Sequence, residues 1–316
     1  MSFDADALRA AVRTHGPVAR VVVAEVAGSA PREAGAAMLV HADGQDGTIG
    51  GGALEYAAAA AARSALASDA QEARLTRHPL GPGLGQCCGG AVALVTEVWD
   101  APALDALAPG PVARRVAGDA AMPLALARAL RQARGEGRAP PVMLQGGWLL
   151  EPRSTPTQTL WLWGAGHVGR ALVDVIAPLP DWAITWVDTG PERFPDVVPP
   201  RVTPLPAATP AALVPRAPRD VHHLVLTYSH ALDLALCAAL LSHGFASAGL
   251  IGSRTKWARF RSRLAAVGHA PAAISRIACP IGDPSLGKHP HAIALGVAAA
   301  LLREAATDRL PKDARA

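Results

Sequence analysis

A glycine-rich turn in the second half of the chain constrains the fold more than any other feature. The short apolar run LWLW at 160–163 leads directly into GAGHVG at 164–169, and a helical pattern follows. In this context the first glycine permits a tight turn, the second lets a phosphate approach the backbone, and the third lets helix and strand pack closely. Asp188 follows at the predicted end of the next strand. The pattern predicts a Rossmann-like domain.

The strand and helix signals on either side of this turn predict the domain organisation. Through 159–316, apolar runs alternate with helical patterns of about 10–15 residues, which is typical of βαβ crossovers and a parallel sheet. Strand and helix signals also alternate in the first hundred residues, whereas 101–158 is rich in proline and glycine around one helical stretch. We therefore predict an N-terminal α/β domain over 1–100, a connector with some local structure over 101–158, and a doubly wound parallel-sheet domain over 159–316.

Composition excludes several classes of protein. Half of the 316 residues are hydrophobic and 18% are charged, which is enough apolar material for a packed core. The longest apolar run, 292–302, is shorter than the roughly 20 residues that cross a bilayer, and the first residues lack a signal-peptide pattern. Aromatic residues make up only 4%, and no nucleic-acid-binding motif is present. We expect a cytoplasmic protein that engages neither membrane nor nucleic acid.

The distribution of charge points to an anionic ligand or partner. Between Asp233 and Asp283 the sequence contains no carboxylate side chain. The same stretch contains six cations, Arg254, Lys256, Arg259, Arg261, Arg263 and Arg276. Such a local field suits an anionic ligand or an acidic protein, although a solvated arginine face explains the pattern equally well.

Polar residues follow three of the predicted strands in the second half. In a doubly wound sheet, ligands lie outside the carboxyl ends of the strands. His230 and Asp233 follow one strand, Ser253 and Arg254 follow the next, and Lys288 follows the last. Each group also has a structural interpretation, with Ser253 as a helix N-cap and His230 and Asp233 pairing with the positive end of a helix.

Three glycine-rich segments distinguish the first half. Gly50–Gly52 lead into a predicted helix with Glu55 in its first turn, where backbone N–H groups could contact an anion. The segment GSAPR at 28–32 supplies a hydroxyl and the cation Arg32. Cys87 and Cys88 are adjacent in the loop 80–90, where thiolates could bind a soft metal or carry sulfur. Tight turns that require small residues for packing are the alternative explanation.

These segments together resemble the XdhC/CoxI family, and the paired cysteines favour its xanthine dehydrogenase branch. The sequence departs from the family pattern at DPSL (283–286) and at His291. The matching stretches, in the family's order, are GSAPREAGAAM (28–38), GTIGGGALE (47–55), LGPGLGQCCGG (80–90), LWGAGHVGRAL (162–172), LIGSRTKWARFRSRL (250–264) and CPIGDPSLGKHPHAIA (279–294).

The resemblance implies a maturation chaperone and not a turnover enzyme. Such a protein binds the molybdenum cofactor (molybdopterin), holds it while a cysteine desulfurase exchanges an oxo ligand for sulfur, and inserts it into apo-xanthine dehydrogenase. The implied partners are the molybdenum subunit of that enzyme, the desulfurase, proteins of cofactor biosynthesis and a second copy of the chain. Two other functions stay open, an NAD(P)-dependent oxidoreductase that uses the glycine turn and Asp188, and a docking scaffold for xanthine dehydrogenase. We do not expect NAD to be the ligand.

The candidate cofactor-binding residues come from both halves of the chain, and no catalytic residue is assigned. Cys87 and Cys88 are also the candidate metal ligands. The full set is Arg32, Gly50, Gly51, Gly52, Glu55, Cys87, Cys88, Gly164, Gly166, His167, Gly169, Asp188, His230, Asp233, Ser253, Arg254 and Lys288.

Overall fold

The chain divides into two compact units. The computed structural model describes residues 2–68, 72–81, 89–136 and 139–309. Unit 1 comprises 1–155 and unit 2 comprises 156–316. Of the segment 101–158, which the sequence suggested as a connector with some local structure, residues 101–155 contribute helices and strands to unit 1. Within the described residues, no helix combines the length and the apolar character needed to cross a bilayer.

Unit 1 is built on two antiparallel sheets. The larger sheet has the strand order β3-β2-β1-β5-β4 and the smaller has the order β6-β8-β7. Their elements are α1 (Ala5–His15), β1 (Val18–Ala27), β2 (Ala37–His41), β3 (Gly44–Gly47), α2 (Gly52–Leu66), β4 (Arg74–Pro79), β5 (Ala91–Trp99), α3 (Ala101–Asp105), β6 (Val112–Arg115), α4 (Leu124–Glu136), β7 (Met143–Gln145) and β8 (Trp148–Glu151).

Strand β1 is apolar along most of its length because both of its faces are covered. Ala19, Val21 and Val23 point to the core beneath α2, whereas Val22 packs on the other face against Leu149 of β8. Since successive side chains in a strand point to opposite faces, a strand buried on both sides reads as a continuous β-branched run. Strand β1 is therefore the central element of unit 1.

A buried ionic network links the smaller sheet to the larger one. Arg20 of β1 donates two hydrogen bonds to the Glu151 carboxylate of β8, at 3.0 and 2.7 Å. Arg114 of β6 bonds both Glu151 and Glu97 of β5 at 2.6 Å. Both guanidinium groups also lie over the Phe3 ring. Because each charge in this buried cluster has an opposite partner, the network fixes how the two sheets pack.

Unit 2 confirms the predicted Rossmann-like domain. Its six-stranded sheet is parallel, with the order β11-β10-β9-β12-β13-β14, so the chain reverses direction of winding between β9 and β12. The elements are β9 (Gln158–Trp163), α5 (His167–Ile176), β10 (Trp182–Asp188), β11 (Val202–Pro206), β12 (His222–Val225), α6 (His230–His243), β13 (Ser247–Leu250), α7 (Arg254–Ala266), α8 (Pro271–Ile274), β14 (Ile277–Ala278) and α9 (Pro290–Arg309).

Both faces of this parallel sheet are covered by helices. Leu160 and Leu162 of β9 point to the core formed with α5 and α9. Trp161 and Trp163 point to the opposite core, which contains residues of α6 and α7. Helices on both faces leave the ends of the strands accessible, and candidate residues follow the carboxyl ends of β9, β10, β12, β13 and β14.

Candidate functional site

The three glycines of the unit 2 turn have different roles. A Cβ on Gly164, whose φ is +124°, would lie 2.4 Å from the carbonyl oxygen of Leu226. A Cβ on Gly169 would lie 2.2 Å from the carbonyl oxygen of Gly164, so these two glycines allow close packing of strand and helix. Gly166, at the N-cap of α5, would meet nothing within 4 Å, and His167 beside it is exposed. Of the three, only Gly166 leaves room for a ligand.

The Asp188 carboxylate is engaged within unit 2. Its side chain is nearly fully buried, and one oxygen accepts a hydrogen bond from Ala165 N at 2.6 Å. The other oxygen accepts from Thr189 N at 2.6 Å and lies 3.4 Å from Arg193 Nε. The residue therefore braces the glycine turn from the end of β10, and both of its oxygens already have donors.

A buried ion pair joins the ends of β12 and β13. Asp233, which is 1% exposed, accepts hydrogen bonds from Thr227 N at 3.0 Å and Thr227 Oγ1 at 2.7 Å. Its second oxygen lies 2.6 Å from Lys256 Nζ, and this ammonium also donates to Ile251 O at 2.9 Å. The contacts satisfy both charges, so this pair holds α6 and α7 against the carboxyl edge of the sheet.

The remaining candidates at this edge are exposed. Ser253 is the N-cap of α7, since its Oγ accepts a hydrogen bond from Lys256 N at 3.1 Å, as its structural interpretation predicts. Arg254, Lys288 and His230 all lie at the surface, with the His230 ring edge-on to Phe260. These three side chains are available to a ligand or a partner.

In unit 1, Glu55 holds the glycine turn in shape. Its carboxylate accepts hydrogen bonds from Thr48 Oγ1, from Ile49 N at 2.9 Å, from Gly51 N at 3.0 Å and from Gln45 Nε2 at 3.1 Å. Partial burial raises the pKa of Glu55, but the hydrogen bonds outweigh it and hold that pKa below its usual value. The ionised Glu55 carboxylate therefore links α2 to β3 through hydrogen bonds and stabilises the turn between them.

The glycine-rich segments of unit 1 meet at one place. A Cβ on Gly50 would lie 2.7 Å from Pro31 Cβ and 3.5 Å from Arg32 Cγ, so the 28–32 loop packs against the glycine turn. A Cβ on Gly28 would lie 3.2 Å from Gly90 Cα, which brings in the segment that follows the two cysteines. The sequence order gives no hint of this proximity. The antiparallel pairing of β1 with β5 brings Gly28 to Gly90, and the pairing of β1, β2 and β3 brings the glycine turn to the 28–32 loop.

Gly51 leaves this cluster open to solvent on one side. It is the N-cap of α2, with φ +76°, and a Cβ there would meet nothing within 4 Å. The first N–H groups of a helix have no partners within it, and the positive end of the helix dipole lies at the same place. The geometry can therefore accept an anion at the start of α2.

Two family models match the chain in sequence order. The model of the XdhC and CoxI family matches 11–78, and the model of the XdhC Rossmann domain matches 160–301. Together they match more than half of the residues, with both glycine turns inside the matched ranges. The chain belongs to the XdhC and CoxI family. No curated protein matches it.

The comparison with solved structures shows the fold of this family member through one of two structures. The crystal structure of a xanthine dehydrogenase from Bacillus halodurans has a TM-score of 0.65 and 18% identity, and the match covers 98% of both chains. At this identity the similarity concerns the fold. A Rossmann-fold NAD(P)-binding family protein from Shigella flexneri has a TM-score of 0.31 and 13% identity, over 45% of this chain and 85% of the other.

The four cysteines of this XdhC and CoxI family member fall into two pairs, of which the structure describes one. Cys87 and Cys88, the candidate metal ligands, lie outside the described residues. Burial raises the pKa of Cys237 to about 12 and that of Cys279 to about 11, so both remain thiols near neutral pH. Neither is suited to bind a metal as a thiolate, and both pack in or against the core of unit 2.

One of the cations assigned to the basic segment has a different environment from the others. Lys256 is largely buried against Asp233, whereas Arg254, Arg259, Arg261 and Arg263 are exposed along α7. The idea that Lys256 belongs to a solvent-facing basic surface is wrong, because the carboxylate of Asp233 draws it inward. The sequence contains one indication of this ion pair. Asp233 is the last acidic residue before a long stretch whose charged residues are all cations, so a cation from that stretch is its natural partner.

Proposed function

We propose that this XdhC and CoxI family protein is a maturation factor for xanthine dehydrogenase that carries the molybdenum cofactor as cargo. The observation that carries the proposal is that the 28–32 loop contacts both Gly90 and the glycine turn that leads into the open start of α2. In sequence these segments are far apart, and their glycines combine positive φ angles with close contacts to neighbouring segments, as at Gly28 and Gly50. The protein binds, protects and delivers the cofactor without a catalytic residue of its own.

The phosphate of a pterin fits the open face of the unit 1 turn. Helix α2 has 15 residues, Gly51 at its start leaves free space, and Arg32 lies next to Gly50. Backbone N–H groups at a helix start bind phosphate, and the guanidinium of an arginine in a neighbouring loop, here Arg32, is the second kind of group that does so. Glu55 keeps a negative charge in the same turn and takes up the N–H groups of Ile49 and Gly51, so the phosphate would bind the first N–H groups of α2 itself.

The cofactor, when bound, supplies the molybdenum centre at which the recipient enzyme reacts. In this proposal Cys87 and Cys88 lie near the metal or the incoming sulfur, since a thiolate is a soft ligand. Gly166 and His167 offer a second anion-binding turn in unit 2. A cysteine desulfurase provides the sulfur, and apo-xanthine dehydrogenase receives the product.

A nicotinamide-dependent oxidoreductase has weaker support. In such enzymes the acid at the end of the second strand binds a ribose hydroxyl. Here the oxygens of Asp188 accept hydrogen bonds from Ala165 and Thr189, with Arg193 nearby. An oxidoreductase function would also leave the glycine turn of unit 1, Gly50–Gly52, without a role.

Replacing Gly51 with alanine is expected to lower cofactor retention by about tenfold or more, since a methyl group would fill the space where a phosphate approaches the backbone. The measurement incubates purified protein with released molybdenum cofactor, reisolates the protein and quantifies pterin fluorescence and molybdenum per chain. NAD(H) is titrated in parallel by calorimetry.

Gly16→Ala is the matched control for this experiment. Gly16 has φ +75°, and a Cβ there would also meet nothing within 4 Å, so the backbone strain of the two variants is the same. We expect similar losses of thermal stability and a loss of cofactor only in Gly51→Ala. Equal retention by the two variants, or low-micromolar NAD(H) binding, would count against the proposal.

The exposed arginines of α7 are proposed to dock an acidic partner. Trp257, Arg261 and Ile274 are among the residues that line a groove of about 570 Å³ beside them. Reversing Arg259 and Arg263 to glutamate should weaken association with the desulfurase or the apo-enzyme, and the loss should be greatest at low salt. Reversing Arg131 and Arg134, which are exposed on α4, is the control. An equal effect of both pairs would show that only net charge matters.

A further inference from the structure

Two histidines and an aspartate meet on unit 1, outside the glycine turns. His15 is the last residue of α1, His41 ends β2, and Asp46 lies on β3. One potential ligand atom from each of these side chains lies within 4.8 Å of the other two. The hairpin of β2 and β3 brings His41 near Asp46, and α1 adds His15 from a different part of the sequence.

The His41 ring is held in place and has an unused nitrogen. It stacks on the His15 ring, with centroids 3.8 Å apart and planes at 7°. On its other side, a Cβ on Gly44 would lie 2.9 Å from His41 Cε1, so the hairpin closes directly on the ring. Nδ1 of His41 is buried and has no hydrogen-bond partner among the described residues. An unpartnered buried nitrogen is costly unless something binds it.

We infer that His15, His41 and Asp46 form a binding site for a divalent transition-metal ion, with zinc as the best match. Two imidazoles and one carboxylate are ligands that zinc prefers, and three protein ligands leave a fourth position open. Ligand atoms in a tetrahedral zinc site are about 3.3 Å apart, so the set has to contract modestly. His15 and Asp46 are exposed and can make that adjustment.

The position of the site favours a cation in one respect and opposes it in another. His15 lies at the C-terminal end of α1, where the helix dipole attracts positive charge. Arg63 contacts the same hairpin through Gly44 O at 3.5 Å, and its charge lowers the affinity. A metal lies in the plane of each imidazole that binds it, so the stacked rings must separate. The exposed His15 is the ring that turns.

This site does not depend on the proposed function. Gln45 and Asp46 are consecutive on β3 and therefore point to opposite faces, with Gln45 bonded to Glu55 of the glycine turn. The metal site lies on the other face of that strand. Loss of metal binding and loss of cofactor binding are thus separable by mutation.

The test uses the whole 316-residue chain without an affinity tag, after dialysis against a chelator. Zn²⁺ is titrated by calorimetry, and Co²⁺ is titrated by its visible absorption, which reports the geometry of its ligands. We expect one site per chain, a rise in melting temperature with Zn²⁺, and a tetrahedral type of Co²⁺ spectrum. His15→Ala and Asp46→Asn should each weaken binding by about tenfold or more.

Asp43→Asn is the matched control, because Asp43 is an exposed acid in the same hairpin and outside the cluster. Like Asp46→Asn, this substitution removes one negative charge, but it removes no metal ligand. The affinity of the Asp43→Asn variant for Zn²⁺ should therefore stay within about twofold of that of the wild type. If Asp43→Asn and Asp46→Asn weaken binding equally, the effect is general attraction and the site is refuted. Unchanged binding in the His15→Ala variant would refute it as well.

Discussion

Replacing Glu151 with alanine is expected to lower the free energy of unfolding of unit 1 by about 3–5 kcal/mol. The carboxylate is fully buried and accepts hydrogen bonds from Arg20 and Arg114. Its removal leaves two guanidinium groups short of a partner in the same enclosed space, where Glu97 is the one remaining carboxylate that binds either of them among the described residues. The loss therefore comes mostly from uncompensated buried charge and less from the pair's own attraction.

Urea unfolding, with hydrogen exchange of the β1 and β8 amides as the probe for unit 1, measures this loss. Glu25→Ala is the control, since Glu25 is an exposed acid on β1 that lies 3.8 Å from Arg77. It should change the stability by no more than about 1 kcal/mol. Comparable small losses in the two variants would show that water relieves the charges of the network.

The dependence of stability on acidic pH tests the role of Glu151 in a second way. Burial raises the pKa of Glu151, but Arg20 and Arg114 outweigh this and lower it from 4.5 to about 2. A pKa that is lower in the folded than in the unfolded state stabilises the fold above the unfolded value. Stability is then lost as the pH falls from about 4.5 towards 2. Wild type should lose more stability over this range than Glu151→Ala.

The sequence predicted most of unit 2 because local pattern and final structure agree there. The run at 160–163 appears as the central strand β9, and its alternating side chains enter two cores. The glycines at 164 and 169 are required by backbone contacts that the motif implies. A parallel sheet with helices on both faces needs long apolar runs and short turns, and these are visible in a single sequence.

Unit 1 was less predictable because its organisation depends on contacts between distant segments. Strand β3 (44–47, GQDG) has no apolar pattern, and it forms because the hairpin pairs it with β2. Strands β6 and β8 lie in the proline- and glycine-rich stretch that suggested a connector. The structural role of Glu151 in β8 becomes visible only in its contact with Arg20, which lies 131 residues earlier in the sequence. No local propensity encodes such a partner.

The candidate site shows the same division. The sequence identified the glycine turns and the acids beside them, but not which groups each acid binds. Glu55 was predicted from its place near a helix start, whereas its hydrogen bonds go back to residues 45–51. Spacing along the chain locates a turn, and only the folded structure shows that the turn is braced by its own acid.

Replacing Lys256 with methionine is expected to lower the free energy of unfolding of unit 2 by about 3 kcal/mol or more. Methionine keeps most of the side-chain length, but Asp233 loses the ammonium 2.6 Å away while its side chain remains 1% exposed. Hydrogen bonds from Thr227 satisfy one carboxylate oxygen, so the other keeps a buried charge without a partner. Urea unfolding followed by hydrogen exchange of the β12 and β13 amides measures the loss.

Arg259→Met separates this effect from the general loss of a cation on α7. Arg259 is exposed, so its replacement should change the stability by no more than about 0.5 kcal/mol. In the double variant Asp233→Asn, Lys256→Met both charges are gone, and we expect less destabilisation than the sum of the single variants. If Lys256→Met behaves like Arg259→Met, the lysine is a surface cation after all. It would then rejoin the arginines of α7 as a candidate for partner docking.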